Sequence, residues 1–444
     1  MVSCMYYSFL LLCPVFLIIQ SQSGWIFLFF FLFLKLVLKT KRIILIIFLV
    51  TLALRLAVLL FYSKQQDTNY WEYGPLAGNM IAGNGYALFY KAEFYTPSLI
   101  SPESPLIDAE PYPSAYMMPG YPSFLALMFV VFGNKPDIAI FLVQALITAF
   151  TTIYIYKITL SFASERTALL TAAIYIFLPE MIYTTVSIGP TVFVHFLLVF
   201  LFYRLSKKGI DDYSFQDLLT IGLIMSALLY LRPATIMFVI IIIVYFLFKR
   251  YYKQALAMII VITSLLLPWT IRNYFVFDRF VPFTTSSGLN VYRGHNPYYP
   301  GFWQDDKTEQ RILKFADSVN YEVKMSDLFM NLSIREIKEH PVKEFFTSFE
   351  KLIYLWGYYP YDSRSLNPLY LAPWLFLLVF FAVSLWRKFD WEHKKYLYLF
   401  LISCSLTSML FFALLRYQTI MKITVIPLAA QGLVIIWNLL KKKK

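Results

Sequence analysis

The sequence predicts an all-α polytopic membrane protein, a bundle of about 10–12 transmembrane helices with further helices in its extracytoplasmic loops. Of the 444 residues, 59% are hydrophobic and only 15% are charged, whereas a soluble domain carries about 25% charged residues. Apolar stretches near the length that crosses ~30 Å of hydrocarbon recur along the chain. Short clusters of Lys and Arg separate many of these stretches.

Ten apolar stretches have the length and composition of membrane spans. A further segment, 119–133, is too short for a span, and we expect it to lie against the outer leaflet or dip into it. The predicted spans are 43–62, 137–160, 166–184, 190–206, 215–231, 233–249, 254–271, 368–387, 394–414 and 420–440.

The positive charge marks the membrane orientation. The net charge is +13, yet the basic residues fall in short clusters that together hold 20 basic and 5 acidic side chains, while the loop 63–118 holds 2 basic and 6 acidic ones. This is the positive-inside pattern. It places loop 63–118 outside. The positive charge is therefore explained by membrane orientation, and nucleic-acid binding is excluded as its function. The basic clusters lie at 35–42, 157–166, 204–213, 249–253, 387–395 and 441–444.

Four regions follow from this pattern. Residues 1–40 form an extra N-terminal hydrophobic segment, 41–271 an N-terminal transmembrane module, 272–367 an external loop domain and 368–444 the C-terminal transmembrane helices. The first external loop should contain a short amphipathic helix over 73–82. The external domain should contain helices over 306–318 and 323–339, and one from Pro341 with Phe345, Phe349, Leu352 and Trp356 along one face.

Cysteine and histidine usage gives no sign of a metal or redox centre. Cys4, Cys13 and Cys404 all lie in apolar stretches, and the four His residues are dispersed. Such spacing forms neither a disulfide framework nor a set of metal ligands. We therefore expect no bound cofactor, with dependence on a divalent metal left open.

Four motifs, in this order, resemble the GT-C superfamily of lipid-dependent glycosyltransferases, most closely the bacterial family-39-like branch related to protein O-mannosyltransferases and aminoarabinose transferases. The first is Asp67 with Trp71, followed by a small-residue helix that ends "AGNGY". The others are "MMPGYPSFLALMFVVFG" (117–133), "LLPWTIRNYFVFDRFVPFTTSSGLNVYRGHNP" (266–297) and "RYQTIMKITVIPLAA" (416–430). The resemblance covers the chain from about residue 42 onward.

The resemblance implies a GT-C-like bundle in a bacterial inner membrane. It implies transfer of a sugar from a polyprenyl-phosphate donor, at the periplasmic face, to a glycan, lipid or protein acceptor. It also implies that the acid in the first external loop, Asp67, acts near the acceptor. This agrees with the chemistry, because an attacking hydroxyl must lose its proton and a carboxylate within hydrogen-bond reach accepts it.

The leaving phosphate keeps its charge, so fixed cations should lie where that charge develops. Arg232, Arg272 and Arg416 all lie at predicted outer ends of spans, and guanidinium groups suit phosphate oxygens. Each is equally explained as an interfacial arginine that anchors its helix. The segment 284–297 is rich in hydroxyl groups, amides and Gly. We interpret it either as an ordinary turn-rich loop or as a sugar- or acceptor-binding loop with Asn290, Arg293 and His295 as polar contacts.

One position departs from the resemblance. Relatives often carry a second acid in the external turn after the third span, and Gly189 stands at that position. This leaves two rival functions open. One is a transporter such as a polyprenyl-linked saccharide flippase, in which ionisable groups deep in the spans are expected. The other is a GT-C-like scaffold without catalytic activity.

Overall fold

The computed structural model describes residues 40–62, 70–88, 111–133, 136–297, 320–360, 363–413 and 415–442. Sixteen α-helices occur in these ranges, with four short 3-10 helices and one two-stranded antiparallel sheet, β1 Ala87–Leu88 and β2 Tyr112–Pro113. The helices are α1 Thr40–Tyr62, α2 Tyr73–Ile81, α3 Gly120–Phe132, α4 Asp137–Leu160, α5 Glu165–Phe177, α6 Pro179–Tyr183, α7 Thr191–Ser206, α8 Phe215–Leu231, α9 Ile236–Phe248, α10 Tyr252–Phe277, α11 Ser287–His295, α12 Tyr321–Glu339, α13 Pro341–Trp356, α14 Pro368–Lys388, α15 Trp391–Leu410 and α16 Leu415–Lys442.

The predicted fold class is confirmed: the chain is an all-α polytopic bundle with additional helices in its loops. Each predicted span coincides with a helix or, in one case, a broken pair of helices. Among the described residues, five helices are long and apolar enough to cross a membrane, namely α1, α4, α10, α14 and α16. The count is six if the pair α5 and α6 forms one span, and α3, α7, α8 and α9 are shorter apolar helices.

The predicted single span 166–184 is wrong in one respect, because the helix breaks after Leu178 and bends by 60°. Pro179 has no N–H group, so the Tyr175 carbonyl loses its helical partner. Arg55, which lies buried in α1, donates to the carbonyl oxygens of Ile176 at 2.7 Å and Tyr175 at 3.4 Å. The carbonyl groups that the break exposes are therefore paired by a side chain from another helix, as apolar surroundings require.

The predicted external helices over 73–82 and 323–339 correspond to α2 and α12, and α13 begins at Pro341 as expected. The predicted helix 306–318 lies outside the described residues. The expectation that 284–297 is a loop is wrong, since residues 287–295 form α11. Its two glycines serve close packing: a Cβ atom on Gly288 would lie 1.9 Å from the Ser326 carbonyl oxygen.

A buried acid joins the segments 63–118 and 272–367, which the sequence predicts to be external. Glu322, at the start of α12, accepts hydrogen bonds from the Ser114 hydroxyl at 2.5 Å, the Ala115 N–H at 2.8 Å and the Thr285 hydroxyl at 2.6 Å. Its side chain is only 2% exposed. Burial raises the pKa of Glu322 above its usual value, against the lowering effect of these three hydrogen bonds and of the Arg272 charge.

We predict that Glu322→Ala lowers the melting temperature in detergent, because each buried donor left without an acceptor costs on the order of 1–3 kcal/mol. Glu322→Gln should cost less, since its amide oxygen can still accept from Ala115 and Thr285 and its NH₂ group can donate to the Ser114 hydroxyl. Equal losses in the two variants would contradict this account.

The wild type and the Glu322→Gln variant should also differ in how their stability depends on pH. The folded state binds the Glu322 proton more tightly than the unfolded chain does. Between the two pKa values, the native protein therefore carries more bound protons than the unfolded chain. This contribution to stability is present below the usual value of 4.5 and is lost as the pH rises through the raised pKa. Melting of the wild type, relative to Glu322→Gln, should therefore worsen from acid to neutral pH.

Candidate functional site

Two of the predicted site arginines flank one pair of aromatic rings. Arg232 ends α8, and its guanidinium lies 4.9 Å from the centre of the Tyr417 ring, in the first turn of α16. Tyr417 packs edge-on against Phe412 at 5.6 Å between ring centres, and the Arg293 guanidinium of α11 lies 5.8 Å from the Phe412 ring. The connection between α15 and α16 thus gathers arginines from two distant parts of the chain.

The third predicted polar residue of α11 is fixed at the same connection. His295 is buried, with Nδ1 at 2.5 Å from Oε2 of Glu344 in α13 and Nε2 at 3.2 Å from the Leu410 carbonyl oxygen. Contacts at both ring nitrogens therefore fix the orientation of the imidazole ring. A Cβ atom on the preceding Gly294 would lie 1.6 Å from the Phe411 carbonyl oxygen, so glycine allows α11 to approach this closely.

The inward face of α13 carries opposite charges beside His295. Burial alone would raise the pKa of Glu344, but the hydrogen bond and charge of His295, with the charges of Lys351 and Lys343, lower it below its usual value. Burial lowers the pKa of Lys351 to about 8, against the attraction of Glu344. The Lys351 ammonium donates to the Met409 carbonyl at 3.3 Å. These contacts hold residues 409–410 and α11 together.

A buried ion pair fixes the start of α16 from the other side. Glu180, in the second half of the broken helix, accepts from the Lys422 ammonium with one carboxylate oxygen and from the Thr419 hydroxyl with the other. Glu180 is 7% exposed and Lys422 is 2% exposed. The Lys422 ammonium also lies 5.1 Å from the centre of the Trp374 ring in α14. Both Thr419 and Lys422 lie within two turns of Tyr417, so this pair determines where Tyr417 stands beneath Arg232.

Arg272 lies in a different place from the other predicted cations. It is inside α10, which continues to Phe277 instead of ending near 271. Its guanidinium donates to the carbonyl oxygens of Ser114 at 2.7 Å and Tyr86 at 2.9 Å, and it lies 5.3 Å from the Trp269 ring. These contacts give Arg272 a structural part in holding the first external loop, and phosphate binding by it stays a prediction.

Three other predicted positions are not brought into contact with this group by the described structure. Asp67 lies outside the described residues, and Arg416 begins α16 with its side chain outside them. Asn290 is half-buried in α11. A Cβ atom on Gly189 would meet nothing within 4 Å. Within the described ranges, no group of three His, Cys, Asp or Glu side chains could hold a metal ion.

The sequence interpretation missed Glu180, Lys422 and Thr419. Glu180 and Lys422 are ionisable groups buried inside the bundle, as Arg55 is. A signal was present, because an isolated acid in "LPEMIY" and an isolated base in "TIMKIT" interrupt apolar stretches. Opposite charges inside membrane helices are expected to pair. The sequence does not reveal that these two helices are neighbours.

We predict that Glu180→Gln and Lys422→Met each destabilise the protein by about 3–5 kcal/mol, because each leaves an unpaired buried charge. The double variant, in which no charge remains, should recover much of that loss. Thermal melting of the purified protein in detergent measures all three variants. Additive losses in the double variant would show that the two groups are not coupled.

Comparison with known proteins identifies a family relationship for part of the chain. Residues 113–271 match the family model described as dolichyl-phosphate-mannose-protein mannosyltransferase. This segment runs from β2 through most of α10 and includes Glu180 and Arg232. No curated protein is significantly similar to the chain in sequence.

Several solved structures share the fold. The oligosaccharyltransferase AglB of Archaeoglobus fulgidus, in complex with an inhibitory peptide and a dolichol-phosphate, has a TM-score of 0.54 at 12% identity, over 90% of this chain and 51% of that one. The same organism's enzyme in complex with Zn and sulfate has a TM-score of 0.51 at 13% identity, over 89% and 49%. The chain therefore spans about half the length of these relatives.

ArnT from Cupriavidus metallidurans, bound to undecaprenyl phosphate, aligns over 93% of this chain and 78% of that one at 11% identity, but its TM-score of 0.35 is too low to support an argument. AglB belongs to the GT-C superfamily. The family-model match and the likeness to AglB together confirm the GT-C resemblance that the sequence motifs predicted.

Proposed function

We propose that the protein is a glycosyltransferase that moves a sugar from a polyprenyl-phosphate donor to an acceptor nucleophile at the outer face of a bacterial inner membrane. The observation that carries the proposal is the placement of Arg232 and Arg293 on either side of the Tyr417–Phe412 pair, within a GT-C-like bundle. The match of residues 113–271 to a mannosyltransferase family model supports it.

The donor's phosphate would be bound by Arg232 and Arg293 beside the Tyr417–Phe412 pair. A guanidinium that stacks on a ring keeps its N–H groups in its own plane, which is the geometry that phosphate oxygens require. Fixed cations stabilise the phosphate as it leaves the sugar. The AglB structure contains a dolichol-phosphate, a lipid of the same chemical type. Arg416 is proposed as a further phosphate contact on the motif resemblance alone, and Arg272 would act on the phosphate only through the first external loop.

Asp67 would be the acceptor-side base, removing the proton from the attacking hydroxyl. This assignment rests on the motif resemblance. Asn290 and His295 would contact the sugar or the acceptor from α11, with His295 oriented by Glu344. We propose no bound cofactor, and whether a divalent metal joins Asp67 is tested by adding a chelator to the transfer assay.

The second candidate, a polyprenyl-linked saccharide flippase, gains support from the buried pair Glu180–Lys422, since ionisable groups inside spans often mark transport pathways. Incubation of purified protein with a radiolabelled polyprenyl-phosphate sugar distinguishes the candidates. An enzyme releases or transfers the sugar in detergent. A flippase leaves the donor unchanged there, because a micelle has no second leaflet to which the lipid can be moved. A scaffold without activity would bind the donor without turnover.

We predict that Arg232→Gln and Arg293→Gln each weaken donor binding by about tenfold or more, because a charge-assisted hydrogen bond contributes about 1.5–3 kcal/mol. The measurement is binding of a fluorescent polyprenyl phosphate in detergent. Arg387→Gln is the matched control, since Arg387 also lies over a ring, that of Trp386 at 4.6 Å, but at the far end of α14. Loss of binding in all three variants, or in none, would reject the site.

We predict that Asp67→Asn reduces the transfer rate by about 10²–10⁴-fold, because Asn cannot accept the proton, and leaves donor binding unchanged. Asp67→Glu keeps the carboxylate but moves it by one methylene, so partial activity is expected. If Asp67 merely caps a local turn, Asn would replace it without loss. Transfer close to the wild-type rate in monodisperse Asp67→Asn protein would therefore refute the catalytic role.

A further inference from the structure

The external helix α13 has its polarity reversed relative to a helix on a soluble domain. Its buried face carries Glu344 and Lys351, at 6% and 3% exposure. The opposite face exposes five large apolar side chains by 46–69% at helical spacing. These residues, the apolar face of α13, are Val342, Phe345, Phe346, Phe349 and Ile353.

The exposed rings do not stand alone on the surface. Phe345 packs against Phe346 at 5.7 Å and against Phe349 at 5.0 Å between ring centres. They form a contiguous patch about 100° wide around the helix, the width of an ordinary buried face. A patch of this kind in contact with water is unfavourable at about 25 cal/mol for each Å² of apolar surface. Something apolar is therefore expected to cover it.

The position of α13 indicates what covers the patch. α13 is fixed across one end of α15, the end opposite Lys394 and Lys395. Trp356 donates to the Ser405 hydroxyl at 3.0 Å, and the Ser408 hydroxyl donates to the Lys351 carbonyl at 3.3 Å. The helix that follows, α14, begins at Pro368 and is one of the five helices able to cross a membrane.

The predicted span α15, against which α13 packs, also exposes apolar side chains. Ile402, Leu406 and Leu410 of α15 are 39–53% exposed, so the helix against which α13 packs is itself apolar on its outside. α13 is thus linked to two helices predicted to cross the membrane, to α14 along the chain and to α15 by packing.

We propose that the apolar face of α13 inserts into the acyl-headgroup boundary of the outer leaflet, so that α13 is an interfacial anchor for the external domain. The partner is the phospholipid surface, which accepts a helix with one apolar and one polar face lying in its plane. The inward charges then face the candidate site, where Glu344 holds His295. This inference does not depend on the proposed glycosyl transfer.

The test uses full-length protein in which Cys4, Cys13 and Cys404 are replaced by Ala, with one new cysteine that carries a bimane fluorophore. The labelled variants are Phe349→Cys and Ile353→Cys on the apolar face. Glu339→Cys, exposed at the end of α12, is the aqueous control, and Val379→Cys, 60% exposed within α14, is the lipid control. Each variant is reconstituted into phosphatidylcholine–phosphatidylglycerol vesicles.

Nitroxide-bearing phosphatidylcholine should quench the labels at 349 and 353 at least half as strongly as the label at 379, and iodide should quench them several-fold less than the label at 339. Quenching by iodide alone, as at 339, would overturn the proposal. Protection from both quenchers, with a cross-link between two copies through residue 349, would overturn it in favour of a dimer. Unaltered melting temperatures in the four variants show that the label has not disturbed the fold.

Discussion

The break after Leu178 is the constraint on which the rest of the bundle depends. Pro179 ends α5 there, and in an apolar interior the carbonyl groups so released must find donors. Arg55 of α1 donates to two of them. The same bend turns Glu180 toward α16, where it meets Lys422 and Thr419. Pro179 thus requires a donor such as Arg55 in α1. The acid that follows it, Glu180, requires a second base, Lys422 in α16.

Two different sets of contacts hold the start of α16. On one side the Glu180–Lys422 pair is fixed and neutralised. On the other side, residues 409–413 pack against α11 and α13. His295 contacts the Leu410 carbonyl, Lys351 donates to the Met409 carbonyl, and Glu344 holds His295 in place. Tyr417 lies between these two supports, and it is the ring over which Arg232 stands. The position of the candidate phosphate site is therefore set by residues that do not themselves belong to it.

Helix positions in this chain follow from apolar length and from Gly and Pro, so the predicted spans and the helices beginning near 73, 323 and 341 agree with the structure. Two local features did not follow. The break that Pro179 makes in 166–184 needs donors for the exposed carbonyl groups, which Arg55 supplies from more than 100 residues away. The position of α11 depends on Gly288 and Gly294 meeting the backbone of α12 and of residue 411. In both cases a distant partner decides the local structure. Arg232 was found because it lies at a predicted span end, and Arg293 and His295 because they lie in the polar segment 284–297. Their meeting at residues 410–417 requires the fold.

Which face of a helix turns inward is a separate question in a membrane protein. In water the burial of Phe decides it, but lipid is as apolar as Phe and gives no preference for burying that side chain. The cost of an unpaired polar group then becomes the stronger term. This accounts for the inward charges of Arg55, Glu180, Lys422, Glu344 and Lys351, each of which has a hydrogen-bond partner on another element. The periodicity of α13 predicted that Phe345, Phe349, Leu352 and Trp356 share one face. Phe345 and Phe349 are exposed, but Trp356 packs against the core and donates to Ser405, so the exposed face is rotated from the predicted one.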